Sequence, residues 1–206
     1  IDSLVHFREK ASHMPTLEDL GVEPGSYVLM TMHRPANVDR EEGLRAILET
    51  IEGIAAGHRV VFPVHPRTRQ RFADFGLSQR LTALPNLVLT EPLGYLEFLR
   101  LMEHAMVVVT DSGGIQEETT YLGVPCLTLR ESTERPVTVT LGTNELMELD
   151  PLKIQNRVRA VAGGNRPRGT VPPLWDGKAA ERIATALEEV LSARAGKAGR
   201  RIEELA

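Results

Sequence analysis

Apolar runs alternate with helix-like segments along the first two thirds of the chain, at a spacing of roughly 25–30 residues. The apolar runs cover residues 27–32, 59–64, 87–89, 106–110 and 125–129. Inside these runs polar residues do not alternate with apolar ones, which is typical of parallel strands that are covered on both faces. The pattern therefore predicts an α/β protein built on a Rossmann-like, doubly wound parallel sheet.

Helices are predicted between these strands, where apolar residues recur three and four positions apart. The clearest helix covers residues 42–56, has Leu44, Ile47 and Ile51 on its apolar side, and closes at Gly57. Further helices are predicted at 1–20 (with Pro15 as a breaker), 68–75, 95–105, 113–122, 151–161 and 179–192, with polar loops at 33–40 and after 130 and a linker at 163–173. We expect one domain over residues 1–175, and a C-terminal helix and charged tail over residues 176–206 that pack on or across it. For residues 194–204 the alternatives are a solvated helix and disorder.

The composition narrows the class of protein. The chain has 206 residues, 42% of them hydrophobic, a net charge of −4 and a pI near 5.9. An acidic balance argues against nucleic acid or a membrane surface as a partner, and no apolar run is long enough to cross a membrane. The single cysteine, Cys126, allows no disulfide within the chain, which fits a cytoplasmic location and a thiol buried in the core. Ile1 opens no signal-peptide pattern but helical spacing, so we expect a fragment of a longer protein.

The most informative segment is residues 111–118, with the sequence Asp-Ser-Gly-Gly-Ile-Gln-Glu-Glu. It joins a predicted strand to a predicted helix, and the free N–H groups of a helix N-terminus attract anions. Gly113 and Gly114 let a phosphate approach the backbone, and Ser112 can either cap the helix or donate its hydroxyl to the phosphate. Glu118 lies one helical turn after Gly114, a position that suits a ribose diol rather than a phosphate. The segment predicts a nucleoside diphosphate site.

Polar clusters follow each of the five predicted strands. Ligands of such sheets bind at the carboxyl ends of the strands, so these clusters should meet at one edge. The several histidines and arginines among them indicate a focused anion site in an otherwise acidic protein. The clusters are His33-Arg34, His65-Pro66-Arg67, Glu91-Pro92-Leu93, Asp111-Ser112, and Arg130 with Thr133-Glu134-Arg135.

Five motifs, in the same order along the chain, resemble the non-hydrolysing UDP-N-acetylglucosamine 2-epimerase family. The segment 111–118 matches that family's motif without change. The other four similar segments are 31–39 (Thr-Met-His-Arg-Pro-Ala-Asn-Val-Asp), 63–66 (Pro-Val-His-Pro), 129–136 with 142–144 (Gly-Thr-Asn), and 175–183, which contains Asp-Gly-Lys-Ala. The family often has another triplet after His-Arg where this chain has Pro35-Ala36-Asn37.

The resemblance implies one half of a two-domain GT-B type fold, namely its C-terminal, UDP-binding domain. The implied enzyme is an isomerase that converts UDP-N-acetylglucosamine into UDP-N-acetylmannosamine by eliminating and re-adding UDP, with no metal or nicotinamide cofactor. It also implies that the acid and base lie in a missing N-terminal domain, that this chain alone is inactive, and that the intact protein is a homodimer. By motif, the residues carried over are His33, His65 and Arg135 for the phosphates and the reacting sugar, Arg34, Ser112, Gly113 and Gly114 for the diphosphate, Glu118 for the ribose, and Phe98 for the uracil.

Several of these residues can also have a purely structural role. His33 and His65 can cap loops, Phe98 can belong to the core, and Arg135 can pair with Glu131 or Glu134 at the surface. Asp111 is better suited to bonding backbone N–H groups in a turn than to acting as a base. Neither histidine has a second ligand at zinc spacing. The alternative functions are a non-catalytic nucleotide-sugar-binding module, a hydrolysing epimerase and a GT-B glycosyltransferase.

Overall fold

A computed structural model describes the backbone of residues 1–203 and the side chains of residues 1–192. The strands are β1 (Tyr27–Thr31), β2 (Arg59–Pro63), β3 (Leu87–Thr90), β4 (Val107–Thr110), β5 (Cys126–Leu129) and β6 (Asn144–Met147). They form one parallel sheet in the order β3-β2-β1-β4-β5-β6. This is the order of dinucleotide-binding Rossmann sheets, in which the strand order reverses between β1 and β4. The predicted fold class is confirmed.

Helices cover both faces of the sheet. They are α1 (Asp2–Ser12), α2 (Thr16–Asp19), α3 (Pro35–Val38), α4 (Glu41–Ala55), α5 (Pro66–Asp74), α6 (Ser78–Thr82), α7 (Tyr95–His104), α8 (Gly113–Leu122), α9 (Val137–Thr140), α10 (Pro151–Ala162) and α11 (Ala179–Glu203). No helix within residues 1–203 has the length and apolar character needed to span a membrane.

Two apolar layers hold the sheet between its helices, because successive strand residues point to opposite faces. Val28 and Met30 of β1 belong to the layer under α4 and α10, whereas Tyr27 and Leu29 belong to the layer under α1 and α7. All four are fully buried. Burying one such side chain contributes roughly 1.5–3 kcal/mol, so the continuous apolar runs make the sheet the rigid part of the molecule. The loops after its strands are held on this support.

The structure contains short elements that the apolar pattern does not predict: α3, α6, α9 and β6. The sequence predicts a loop over residues 33–40, but Pro35 starts a helical turn there because its ring fixes φ at a helical value. Strand β6 carries the polar residues Asn144 and Glu145 and pairs only with β5 at the sheet edge, so it shows no apolar run. Elements of four or five residues are too short to display a periodicity.

The C-terminal helix α11 is attached at its start. The N–H of Ala180 donates to Asp2 Oδ2 of α1 at 2.8 Å. The side chains of residues 179–192 are all exposed, including the apolar Ile183 and Leu187. The predicted packing of this helix on or across the domain stays a prediction, and the side chains of residues 193–206 lie outside the described part.

Candidate functional site

The loop after β1 is fastened to the end of β4 by one fully buried carboxylate, that of Asp111. It accepts hydrogen bonds from the backbone N–H of His33 (3.1 Å) and of Arg34 (2.9 Å) and from Asn37 Nδ2 (3.2 Å). Its Oδ1 also lies 3.0 Å from Nδ1 of His33. Asp111 therefore bonds backbone N–H groups as expected, and it also fixes the imidazole ring of His33.

This contact shifts the pKa of both partners in the direction that favours their charged forms. The hydrogen bond that the His33 ring donates to Asp111 raises the pKa of His33 above its ordinary value of 6.5, against the opposing effects of burial and of the Arg34 charge. Burial works to raise the pKa of Asp111, but the hydrogen bonds from His33 and Arg34 outweigh burial and hold it below its ordinary value. Nε2 of His33 has no hydrogen-bond partner among the described side chains. The ring is thus oriented through Nδ1, and Nε2 is left without a partner among these side chains.

His65 lies beside His33, with 5.8 Å between the ring centroids. It occupies the N-cap of α5, where its Nδ1 accepts the N–H of Arg67 at 3.2 Å. The structural role that the sequence left open for His65 is therefore present. Because its ring is exposed and adjacent to His33, a role in binding is compatible with the cap.

The N-terminus of α8 is open toward solvent and faces an arginine. Ser112 is the N-cap, yet its hydroxyl makes no capping hydrogen bond, so it is available to a ligand. A Cβ built on Gly113 would lie 2.8 Å from Nη1 of Arg135, so a larger residue there would require the guanidinium to shift. With glycine the guanidinium lies against the helix N-terminus, and that pairing is suited to an anion.

The guanidinium of Arg135 lies close to two acidic side chains. Its Nε lies 2.9 Å from Glu117 Oε2, and its Nη1 lies 3.7 Å from Glu134. The contact with Glu117 lacks hydrogen-bond geometry, so the buried Nε–H has no acceptor among the described residues. The sequence anticipated a pairing with Glu134 but not the one with Glu117. A second arginine, Arg130, lies close by and is bound to Glu134 at 2.8–3.0 Å.

Glu118 lies farther along α8, in contact with α7. The hydroxyl of Tyr95 donates to Glu118 Oε1 at 3.0 Å. Burial raises the pKa of Glu118, and that hydrogen bond offsets only part of the rise. Phe98, on α7, is half-buried and packs against the apolar layer that lies under α1 and α7. Its roles as a core residue and as a uracil platform both stay predictions.

A cavity of about 430 Å³ opens beside this site, at the ends of β1, β5 and β6. Its apolar lining includes Leu129 and Met147. Its polar lining carries both signs of charge and consists of Arg34, Asn37, Arg130, Glu131, Ser132 and Glu148. Arg34 therefore lies on the cavity side of the loop, next to the His33–Asp111 pair. Among the described residues, no group of three or more His, Cys, Asp or Glu side chains is arranged to hold a metal ion.

Sequence reasoning missed a polar cluster behind the site, in which partly buried Thr133 joins the buried side chains of Gln116, Thr128, Thr138 and Asn144. Gln116 lies in the matched motif, but its fully buried position follows only from the packing of α8. The available signal was the run of polar residues on the inner face of α8, where an ordinary helix would place apolar residues.

The chain matches the family model described as "UDP-N-acetylglucosamine 2-epimerase" over residues 1–188. A UDP-N-acetylglucosamine 2-epimerase of Methanocaldococcus jannaschii is 42% identical over 163 residues, which are 78% of this chain and 44% of the relative. A UDP-2,3-diacetamido-2,3-dideoxy-D-glucuronate 2-epimerase of Pseudomonas aeruginosa is 35% identical over 71% of this chain and 39% of its own length.

Among solved structures, the Methanocaldococcus jannaschii UDP-GlcNAc 2-epimerase in complex with UDP-GlcNAc and UDP is similar, with a TM-score of 0.82 and 37% identity. The match covers 91% of this chain and 52% of that structure. The chain thus spans about half the length of the relatives it matches.

Proposed function

The chain belongs to the UDP-N-acetylglucosamine 2-epimerase family, and we propose that it acts as the UDP-binding half of a non-hydrolysing epimerase. The observation that carries the proposal is the pairing of the α8 N-terminus with Arg135 across Gly113. It joins a helix N-terminus, a free serine hydroxyl and a guanidinium at one point, which is what a diphosphate requires. Glu118, on the same helix, supplies an acceptor for the ribose hydroxyls.

In the proposed reaction a base removes the proton from C2 of the sugar, and the electron pair of that C–H bond forms the C1–C2 double bond. The bond between C1 and the phosphate oxygen breaks, and UDP leaves with the bonding pair. Re-addition of UDP and return of a proton to the opposite face of C2 invert that centre. Negative charge grows on the leaving β-phosphate, and preorganised donors stabilise such charge most effectively. We propose that Ser112, Arg135 and the N–H groups of α8 are these donors.

His33 is proposed to serve the same leaving group. Its Nδ1 is engaged by Asp111, so the ring is oriented and its charged form is favoured. An imidazolium beside a departing phosphate can offer a hydrogen bond or a proton from Nε2. His65 is proposed to contact the phosphates or the sugar beside it, and Arg34 to contribute positive charge from the cavity side.

The proton-transfer residues at C2 are proposed to lie in a domain outside this chain, since the relatives are about twice as long. The chain alone is then expected to bind UDP weakly and to turn over little. The division at residues 175 and 176, a homodimer of the intact protein and a cytoplasmic location stay proposals; the buried free thiol of Cys126 supports the last.

Calorimetry of the 206-residue chain with UDP tests the site. We expect Arg135→Ala and Glu118→Ala each to weaken binding by about tenfold or more, the loss for a charge-assisted hydrogen bond. Arg80→Ala, which removes an arginine paired with Glu52, is the matched control and should bind like the wild type. Unchanged affinity in both site variants would contradict the proposed diphosphate site, which we call the diphosphate cradle.

A second candidate differs in the sugar. The Pseudomonas aeruginosa relative is named for a diacetamido uronate, so another UDP-2-acetamido sugar is the alternative substrate.

Product analysis with the longer protein decides among the activities. UDP-N-acetylmannosamine indicates the proposed reaction, and free N-acetylmannosamine with UDP indicates a hydrolysing epimerase. Transfer of the sugar to an acceptor indicates a glycosyltransferase, and binding without any turnover indicates a non-catalytic module.

A further inference from the structure

We propose that Thr133 and Gln116 form a hydrogen-bonded brace that positions Arg135 over the N-terminus of α8, an inference that rests on the proposed UDP site. Neither side chain would touch the ligand. Their contribution is to hold the two walls of the diphosphate cradle, the turn at Ser112 and the loop that carries Arg135, at a fixed distance.

The first wall is held by Gln116, which is fully buried one turn into α8. Its Nε2 donates to the backbone carbonyl of Ser112 at 3.2 Å. That carbonyl belongs to the N-cap residue, so the bond ties the turn to the helix body. The amide of Gln116 therefore fixes the position of the N–H groups that would face the phosphates.

The second wall is held by the hydroxyl of Thr133. It donates to Gln116 Oε1 at 2.6 Å and accepts the backbone N–H of Arg135 at 3.0 Å. One oxygen atom thus links the buried amide to the residue whose guanidinium lies against Gly113. Since a short polar loop has many alternative conformations, this link is what selects the one that brings Arg135 to the cradle.

The brace is anchored in the sheet. Asn144, at the start of β6, donates from Nδ2 to Gln116 Oε1 at 3.1 Å and to Thr138 Oγ1 at 3.2 Å. Its Oδ1 accepts from Thr128 of β5 at 2.6 Å. The Gln116 oxygen therefore has two donors, and the side chain of Asn144 is satisfied on both atoms. A buried polar cluster that is this fully bonded is rigid, and losing one member leaves its partners unpaired.

The charge contacts of Arg135 with Glu117 and Glu134 support it less firmly than these hydrogen bonds support the brace. Its side chain is one-third exposed, and its contact with Glu117 lacks hydrogen-bond geometry. Without the brace the guanidinium would follow the loop, and the charge would move away from the cradle. Thr133 and Gln116 are therefore positioning residues for diphosphate binding.

The test uses Thr133, because it is half-exposed and its replacement is less disruptive than that of the buried Gln116. Thr133→Val keeps the shape and removes the hydroxyl, and Thr133→Ser keeps the hydroxyl. By NMR titration of the 206-residue chain, we expect Thr133→Val to weaken UDP binding about tenfold, and Thr133→Ser to stay within about twofold of the wild type. Uridine, which lacks the diphosphate, should bind all three proteins equally.

A double-mutant cycle shows whether Thr133 acts through Arg135. In an Arg135→Ala background, Thr133→Val should cause no further loss of UDP affinity. Additive losses, or an equal loss for uridine, would overturn the positioning role and leave Thr133 as a residue of general structure.

Hydrogen exchange at the Arg135 amide tests the brace without any ligand. Exchange should be faster in Thr133→Val than in the wild type and unchanged in Thr133→Ser; equal exchange in all three would refute the brace. If the wild-type chain does not bind UDP, that result contradicts the proposed function rather than the brace. The two failures are therefore distinguishable.

Discussion

The carboxylate of Asp111 lies 3.0 Å from Nδ1 of His33, and the same carboxylate accepts the backbone N–H of His33. One buried carboxylate therefore fixes the backbone of the loop after β1 and the orientation of the imidazole ring. It also favours the charged form of that ring. Asp111 follows directly on β4, and β4 lies next to β1 in the sheet. The reversal of strand order brings these two residues together.

Asp111→Asn should lower the free energy of unfolding by about 2–3 kcal/mol, because an amide cannot accept all the hydrogen bonds that the carboxylate accepts. The amide nitrogen would also face donors rather than acceptors. Urea unfolding measures the change. Asp74→Asn, which alters an exposed carboxylate paired with Arg71, is the control and should change stability by less than about 0.5 kcal/mol. A similar small loss in both variants would contradict the role given to Asp111.

The same substitution should lower the pKa of His33. In the wild type the Asp111 hydrogen bond raises this pKa, while burial and Arg34 oppose the rise. With the carboxylate removed only the opposing effects remain, so the pKa should drop below the ordinary 6.5. A ¹H–¹³C NMR titration of the imidazole gives both values, and His33→Gln identifies the signal by removing it. A titration curve identical in wild type and Asp111→Asn would exclude the ion pair.

The ion pair should also make stability depend on pH in a defined window. His33 has a raised pKa in the folded state, so its contribution is complete below 6.5 and is lost as the pH rises through the raised value. Asp111 has a lowered pKa, so its contribution is complete above 3.8 and is lost as the pH falls through the lowered value. The stability difference between wild type and His33→Gln should therefore be larger at pH 5–6 than at pH 9, as measured by urea unfolding. A difference that grows toward pH 9 would have the wrong sign.

Much of this arrangement follows from sequence. The continuous apolar runs predict a parallel sheet, and the position of the polar clusters after the strands places them at one edge. The structure brings His33, His65, Ser112, Gly113 and Arg135 to that edge. These predictions succeed because strand period and strand end are local properties that the pattern displays directly.

The pairing of side chains from distant parts of the chain, by contrast, cannot be predicted from the local pattern of apolar and polar residues. Asp111 is 78 residues from His33, and Glu117 is paired with Arg135 across a loop of unpredicted shape. The residues of β6 look like a polar loop because an edge strand needs no apolar run. Gln116 lies in a largely polar motif, so its polarity suggests exposure, although it is fully buried among polar side chains.

Glu118→Gln should weaken the binding of UDP more than the binding of 2′-deoxy-UDP. A carboxylate accepts strongly from a ribose hydroxyl, and a hydrogen bond to a charged group is worth about 1.5–3 kcal/mol, or roughly tenfold or more in affinity. Calorimetry with both ligands gives the ratio. Burial raises the pKa of Glu118, so the preference for UDP should decline as the pH falls through that raised value. Equal losses for the two nucleotides would place Glu118 outside the ribose site.

Leu187→Gln should leave the stability of the chain within about 0.5 kcal/mol of the wild type. Leu187 is 56% exposed on α11, so there is little buried apolar surface to lose. Leu48→Ala, in the apolar layer under α4, should by contrast cost about 2–5 kcal/mol. Urea unfolding compares the two. A large loss for Leu187→Gln would show that α11 packs on the domain in solution, as the sequence predicted.

Gly43→Ala sets two effects against each other. Gly43 lies in the first turn of α4, where alanine is favoured over glycine by about 1 kcal/mol on helix propensity alone. A Cβ at this position would lie 2.2 Å from the backbone oxygen of Asn37 in α3, and backbone cannot move aside as a side-chain end can. Relief of that overlap requires α3 to shift, and with it the Asn37 amide that donates to Asp111.

We therefore expect Gly43→Ala to destabilise the chain, by roughly 1–3 kcal/mol as for other overpacked sites, and to weaken UDP binding through the displaced loop. Gly57→Ala is the matched control, because a Cβ at that position meets nothing within 4 Å. Thermal unfolding and calorimetry on both variants separate the effects. If Gly43→Ala were more stable than the wild type, helix propensity would outweigh the close approach, and the contact between α3 and α4 would have to be looser than the structure has it.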